Sequence, residues 1–371
     1  MEERKVSWLE LFFDLVFVAA ISSTNHLLLT IGANPDKSLV YFFEYLLMVT
    51  PMWWAWVGQT MFFNRFGLVL PRPQGYMLAQ MMLLIIMTAS FNLDFDETYY
   101  TFLIAYLGIR GITIIEYFSV SRAVCPQEEK EVAGLLGRLF LVGFCLSLPS
   151  LFFSGWLRYL IMYIGIAVDI ALPLVKKERL KRMPVDLPHL AERFGLLVII
   201  ALGEIIVSII SILSTDTTNL KTLMFSIVAF LIVCLMWWGY YEGYEKVMSK
   251  EKRTNGQILL YGHYFIMLAI MLLAADIHLI YEGHASYMLE VNLLFGAAAM
   301  FYMAKHSVLV YHKKDEVRFG YWKSIWLLIG TLIAYATIVW FMLPLYTALG
   351  WVMLFLLLDA VLHKHNNGKR P

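Results

Sequence analysis

Charged residues are scarce in this chain: Asp, Glu, Lys and Arg make up 15% of its 371 residues, against about a quarter in ordinary globular domains. A water-soluble protein needs more polar side chains to cover its surface, yet 60% of this chain is hydrophobic. The formal net charge of +1 offers no basic face for nucleic acid. These shortages exclude a soluble enzyme, a disordered chain and a nucleic-acid-binding protein, and they leave a polytopic membrane protein.

Cysteines and enzyme motifs are also in short supply. The three cysteines form no CxxC pair, and we interpret them as small apolar packing residues without a disulfide or metal role. The sequence contains no HExxH, GxSxG, P-loop or GxGxxG pattern. Enzyme hypotheses therefore have little support, and we expect no cofactor and no metal ion.

What the chain does contain is long apolar runs. A membrane-spanning helix needs about 20 mostly apolar residues. We predict an all-α, polytopic membrane bundle of about twelve spans, near residues 8–30, 39–63, 74–92, 99–121, 134–153, 156–176, 189–213, 221–246, 257–280, 286–311, 321–341 and 344–363. The first run is interrupted by Glu10 and Asp14, so we expect a retained helix there rather than a cleaved signal peptide.

The distribution of positive charge predicts the orientation. If the N-terminus is cytoplasmic, 24 of the 29 Lys and Arg residues fall in cytoplasmic segments and three fall in outer loops. Cytoplasmic loops carry an excess of Lys and Arg. We therefore predict twelve spans with both termini in the cytoplasm and the lipid bilayer as the first partner.

Two segments recur along the chain in the same order. Residues Glu10–Ala19 align with Glu192–Ala201 at an offset of 182, with five identical positions, and Met52–Trp56 aligns with Met236–Tyr240 at an offset of 184. Near-constant offsets are the signature of an internal repeat. Because each half holds an even number of spans, the two halves would share one orientation, as in parallel-repeat transporters.

Further positions agree with this repeat. Gln80 falls opposite His263 at an offset of 183, and each half ends in a helix with an aspartate, Asp169 or Asp359. We predict two six-helix halves. They are residues 1–183, which include a basic linker, and residues 184–371.

Two long motifs resemble those of a known family. Trp8–Val18 resembles the opening signature of the bacterial low temperature requirement A (LtrA) family, and His189–Glu204 resembles its second signature. The tryptophan pairs and Gly262-His263 fit the same family. The resemblance covers nearly the whole chain and implies an integral protein of the bacterial plasma membrane that is linked to growth in the cold. It implies no substrate and no site residues.

The acids at the start of the two repeat segments are the first candidates for an ion or substrate path. Glu10 and Asp14 lie one helical turn apart on one face and could share a proton, although Glu10 could equally cap its helix. Glu192 and Arg193 begin the matching helix, and Arg193 could pair with Glu10. Glu204 lies about 18 Å further along that helix, as a path residue or as a hydrogen-bonded structural acid.

Other ionisable side chains fall deep in predicted spans, where a charge costs about 2.5–3.5 kcal/mol and usually faces a cavity or a partner. Arg110 and, by a loose alignment, Lys305 give each half one buried base, either as a substrate contact or as a static ion pair. Asp169 lies four residues before Pro173, which frees a carbonyl beside a carboxylate. This could be a cation or proton site, or Asp169 could be an acid at the inner interface near Lys176 and Lys177. His263 could relay protons or simply be satisfied within the bundle.

The tryptophan pairs stand at matching positions in the two halves. Trp54 and Trp238 could line a substrate path through stacking or cation–π contacts, or they could pack and anchor the helices. Both readings stay open at this stage.

Four functions compete for such a chain. We favour a secondary transporter for an unidentified small solute, in which two halves rock about a central site and buried carboxylates exchange protons. An ion channel ranks lower because the sequence has no TVGYG-like filter. A membrane-embedded enzyme acting on lipids is a third alternative, and a sensor without chemistry is the last. The sequence does not decide the oligomeric state.

Overall fold

The structure is a computed structural model that describes residues 5–33, 37–70, 73–91, 95–249, 251–283, 285–314 and 321–365. Within these ranges the chain is helical and forms no strand beyond an isolated bridge between Met248 and Lys313. The helices are α1 Trp8–Ala33, α2 Ser38–Phe66, α3 Gln74–Ala89, α4 Phe95–Arg122, α5 Gln127–Ser147, α6 Trp156–Val175, α7 Lys177–Leu180, α8 Leu187–Thr215, α9 Leu220–Val247, α10 Gln257–Glu282, α11 Tyr287–His312, α12 Tyr321–Trp340 and α13 Leu345–His365. A short 3-10 helix, Leu148–Phe152, follows α5.

Nine stretches of the described helices are long and apolar enough to cross a membrane: Trp8–Thr30, Phe95–Arg122, Gln127–Phe152, Trp156–Val175, Leu187–Thr215, Leu220–Glu245, Gln257–Glu282, Tyr287–His312 and Trp322–Trp340. Helical backbone satisfies its own hydrogen bonds, which a lipid environment requires. Gln74–Ala89 and Leu345–Val361 are apolar but shorter. The all-α membrane fold is therefore confirmed, whereas the number of twelve spans stays a prediction.

The chain divides into two compact units. Unit 1 comprises residues 1–24, 43–193 and 253–257, and unit 2 comprises residues 25–42, 194–252 and 258–371.

In unit 1, α5 and α6 approach closely because small residues stand where they cross. A Cβ atom added to Gly143 would lie 2.6 Å from the Cβ atom of Asp169, and one added to Gly165 would lie 2.6 Å from the backbone nitrogen of Ser147. Small residues at helix crossings let backbones pack in this way. The contact holds Asp169 against the neighbouring helix.

The segments that precede α8 and α10 meet within unit 1. The backbone nitrogen of Val185 donates to the carbonyl of Thr254 at 3.0 Å, and Arg65 donates to the carbonyl of Asn255 at 2.9 Å. Gly256 then turns the chain with a φ of +79°, a conformation that glycine adopts without steric cost. Gln257, the first residue of α10, belongs to unit 1.

Unit 2 is organised around the last helix. Helix α13 packs along α9 and against α11 and α12. The hydroxyl of Tyr287 at the start of α11 donates to carbonyls of Ile338 and Leu343, next to the turn that joins α12 to α13. Ser286 caps α11 by accepting from the backbone nitrogen of Leu289.

Candidate functional site

A buried ionic cluster joins the starts of α1 and α8 in unit 1. We call it the Arg193 cluster; it comprises Glu10, Asp14, Trp56, His189 and Arg193. Arg193 donates to Asp14 Oδ1 at 2.6 Å and to Glu10 Oε1 at 3.3 Å. The indole nitrogen of Trp56 donates to Asp14 Oδ1 at 2.8 Å. Both carboxylates and the guanidinium are almost fully buried, at 0–1% exposure, so the pairing of Glu10 with Arg193 that the sequence suggested is present.

The hydrogen-bonding role of each His189 ring nitrogen follows from the way the neighbouring Asn64 is held. Asn64 accepts from the backbone nitrogen of Asp186 at 3.0 Å and donates to the carbonyl of the same residue at 2.9 Å. These two bonds fix the orientation of the Asn64 amide, so its nitrogen must donate to Nδ1 of His189, 3.0 Å away. The hydrogen of a neutral His189 then sits on Nε2, which lies 3.3 Å from Glu10 Oε1.

The charges of the Arg193 cluster do not balance. With His189 neutral, two carboxylates face one guanidinium, which leaves one negative charge in a buried site. Asp14 Oδ2 is buried and accepts no hydrogen bond from any residue that the structure describes. An uncompensated buried charge is costly, and this oxygen is the least satisfied carboxylate oxygen of the cluster.

A second ionic contact in unit 1, the Arg110 pair, links α4 to α6. Nη2 of Arg110 lies 2.6 Å from Asp169 Oδ2, and both side chains are buried. The indole nitrogen of Trp54 donates to the same oxygen at 2.9 Å, and the Arg110 guanidinium sits 4.6 Å from the centre of the Phe140 ring. Here the charges match one to one, and Asp169 faces Arg110 rather than a free cation site.

Unit 2 contains a comparable contact, the Lys305 pair. The Lys305 ammonium contacts the Asp359 carboxylate, with both side chains buried, and it donates to the carbonyl of Gly239 at 3.3 Å. A Cβ atom added to Gly239 would lie 3.3 Å from Asp359 Oδ2, so the glycine leaves room for the pair. Its charges also match one to one.

We expect Lys305→Met to destabilise the protein by about 3–5 kcal/mol, because it leaves Asp359 buried without its cation. The melting temperature of the detergent-solubilised protein would fall clearly. The double variant Lys305→Met/Asp359→Leu should recover most of this loss, since removing both charges together is far less costly than removing one. A double variant as unstable as the single one would show that the pair is not what stabilises this site.

His263 is held by hydrogen bonds at both ring nitrogens. Nδ1 lies 2.7 Å from the carbonyl of Leu259, which can only accept, so Nδ1 carries the hydrogen. Nε2 therefore accepts from the hydroxyl of Tyr240, also at 2.7 Å. The ring stacks near Phe194, with centroids 4.5 Å apart. This arrangement favours the satisfied core histidine over the proton relay among the two readings of the sequence.

The remaining candidates are dispersed. Glu192 is exposed although it adjoins the buried Arg193, because consecutive helical residues point about 100° apart. Glu204 is buried at 7% exposure, and Trp238 is half-buried. Of Trp54 and Trp238, only Trp54 makes a described hydrogen bond to a candidate acid, which is Asp169.

Sequence reasoning overlooked Glu116 of α4. Its side chain is fully buried and accepts from Gln59 at 3.2 Å and from Gln80 at 3.0 Å. The signal was available, because an acid within an apolar span is a functional candidate by default. Its partners could not be found, since they lie 57 and 36 residues away on α2 and α3.

In unit 1 the candidates therefore form distinct networks rather than one shared cluster. Asp14 and Arg193 belong to one network, Arg110 and Asp169 to another, and Glu116 to a third. The first holds two carboxylates against one guanidinium, the second is charge-matched, and the third holds a carboxyl group among amides. Among the described contacts of this unit, none joins Asp14 to Arg110.

The apolar helices and their buried ionic networks define the class of this protein as a polytopic helical membrane protein. Residues 5–361 match the family described as "Bacterial low temperature requirement A protein (LtrA)", so the chain belongs to that family, as the two sequence motifs predicted. It is also 29% identical over 279 residues to an uncharacterized protein of Rhizobium meliloti (strain 1021). That match covers 71% of this chain and 66% of the relative.

Proposed function

We propose that this chain is a proton-coupled secondary transporter for a small solute in the bacterial plasma membrane. The observation that carries the proposal is the charge imbalance of the Arg193 cluster, in which Glu10 and Asp14 face the single guanidinium of Arg193. A purely structural pair would match charges one to one, as the Arg110 and Lys305 pairs do. One exchangeable proton at Asp14 restores neutrality, and its release changes the charge of a buried site.

The proposed architecture is two six-helix repeats with twelve spans and both termini in the cytoplasm. In support of the repeat, each unit contains one buried base paired with an acid on a late helix, Arg110 with Asp169 and Lys305 with Asp359. These are the positions that the sequence alignment placed opposite each other. Parallel repeats of this kind occur in transporters, which is why we prefer transport over a fixed scaffold.

The test is flux through purified protein in sealed liposomes. We expect an imposed inward proton gradient to drive uptake from a panel of radiolabelled amino acids, sugars and quaternary amines, with a pyranine signal reporting proton entry. Asp14→Asn should abolish gradient-driven uptake because the amide cannot bind and release the proton. Glu128→Gln, an exposed acid of α5, is the matched control and should behave as wild type.

Other outcomes would overturn the proposal. Ionic conductance without solute-coupled proton entry would favour a channel. Altered lipid composition in the same liposomes, with no flux of any probe, would favour a lipid-acting enzyme.

A further inference from the structure

Glu116 is the buried acid of unit 1 that meets no cation in the described structure. Its carboxylate lies within α4, a helix apolar enough to span a membrane, and its side chain is fully buried. No ion pair joins it to any described Lys, Arg or His residue. Ionised Glu116 would therefore place a whole negative charge in a low-dielectric interior without a counter-charge, which is strongly unfavourable.

Two amides hold this carboxyl group from different helices. Gln59 of α2 donates to Oε1 at 3.2 Å, and Gln80 of α3 donates to Oε2 at 3.0 Å. Both glutamine side chains are themselves fully buried. Amides are neutral, so they stabilise the carboxylate less than a guanidinium would and leave its charge unbalanced.

The same amides can also serve a protonated carboxyl group. The carbonyl oxygens of Gln59 and Gln80 are buried and accept no hydrogen bond from any residue in the described ranges. Rotating either amide by half a turn presents that oxygen to a carboxyl O–H, which becomes a donor once protonated. This triad of Glu116, Gln59 and Gln80 can thus satisfy its hydrogen bonds in both protonation states of Glu116, which a cation-paired acid cannot do.

The surroundings of the triad add little compensating charge. Helix α3 has no charged side chain. On α2, Arg65 donates to the carbonyl of Asn255, and on α4, Arg110 is occupied by Asp169 of α6. Arg138 of α5, the helix packed along α4, is exposed. Tyr117, the next residue of α4, is buried beside the ring of Phe62.

We propose that Glu116 is a second proton-binding site, independent of the Arg193 cluster, whose carboxyl group is protonated at rest and releases its proton to water during transport. The step is a simple exchange between the carboxylate and a hydrated proton, with the amides of Gln59 and Gln80 rotating between donor and acceptor. The transport role of this proton rests on the function proposed above, but its binding does not. The chemical identity of the coupling ion would then be a proton rather than a sodium ion.

The experiment is infrared difference spectroscopy of the purified full-length protein in lipid at neutral pH. We expect the wild type to show carbonyl stretches of buried protonated carboxyl groups, and Glu116→Gln to lose the one band that belongs to Glu116 while a band from Asp14 persists. Glu128→Gln should retain both bands. If Glu116→Gln fails to fold, Gln80→Met provides the same test, because removing one hydrogen-bonding partner should shift the band of Glu116 without removing it.

The outcomes separate this inference from the proposed function. A band that Glu116→Gln removes, in a protein that moves no solute, would support the proton site and overturn the transporter. Solute uptake by a wild-type protein that shows no band from Glu116 would support the transporter and overturn the proton site. A carboxylate band from Glu116 that responds to added sodium ions would overturn the proton assignment.

Discussion

Replacing Arg193 with methionine should have the largest effect of any single substitution in this protein. The change leaves Glu10 and Asp14 buried together without the guanidinium that contacts both. Breaking a buried ion pair costs about 3–5 kcal/mol, and the loss here should reach the upper end because two acids lose one partner. Total stabilities of about 5–15 kcal/mol are typical, so we expect very little folded protein in membranes.

The rescue variant makes this prediction specific. Arg193→Met combined with Glu10→Gln and Asp14→Asn removes all three charges while it keeps similar volumes. We expect the folded yield, measured by size-exclusion chromatography in detergent, to return most of the way to wild type. A triple variant as poor as the single one would mean that Arg193 acts through packing, for instance over the ring of Trp56, 5.5 Å away.

The second large effect is expected at the crossing of α5 and α6. In Gly165→Ala the new methyl group would lie 2.6 Å from the backbone nitrogen of Ser147 and 2.8 Å from the carbonyl oxygen of Gly143. Backbone atoms cannot move aside as a flexible side chain can, so the two helices must separate. Overpacking costs about 1–3 kcal/mol, and we expect a melting temperature several degrees lower in a thermal shift assay.

Gly111→Ala is the matched control for that substitution. Gly111 lies within α4 of the same unit, and the nearest atom to an added Cβ is Cε2 of Phe144 at an ordinary 3.9 Å. Alanine is favoured over glycine in a helix by about 0.5–1 kcal/mol, so the melting temperature should rise slightly. If both alanines lower it equally, the close crossing of α5 and α6 is not the cause.

The separation of α5 and α6 that we expect in Gly165→Ala should also disturb the Arg110 pair. Asp169 lies against Gly143 at this crossing, so moving α6 would pull its carboxylate away from Arg110. The Gly165→Ala variant should therefore be partly rescued by Asp169→Asn/Arg110→Met, which removes the pair that the displacement breaks.

The apolar runs in the sequence determined the membrane class and most helix positions, because spans need about 20 apolar residues whatever surrounds them. The motif His189–Glu204 likewise identified the family, and the aligned segments suggested that Arg193 could pair with Glu10 and that each aligned half carries one buried base. These inferences depend on local composition or on recurrence along the chain, both of which are visible without coordinates.

The tertiary structure alone decided which buried groups meet. Arg110 finds Asp169, Lys305 finds Asp359, and Glu116 finds Gln59 and Gln80, all across separations that no local pattern encodes. Periodicity could not tell that Glu192 is exposed beside a buried Arg193. The physical reason is that a charge in a membrane-spanning helix must find a partner, but helix packing selects which one, and packing depends on the whole chain.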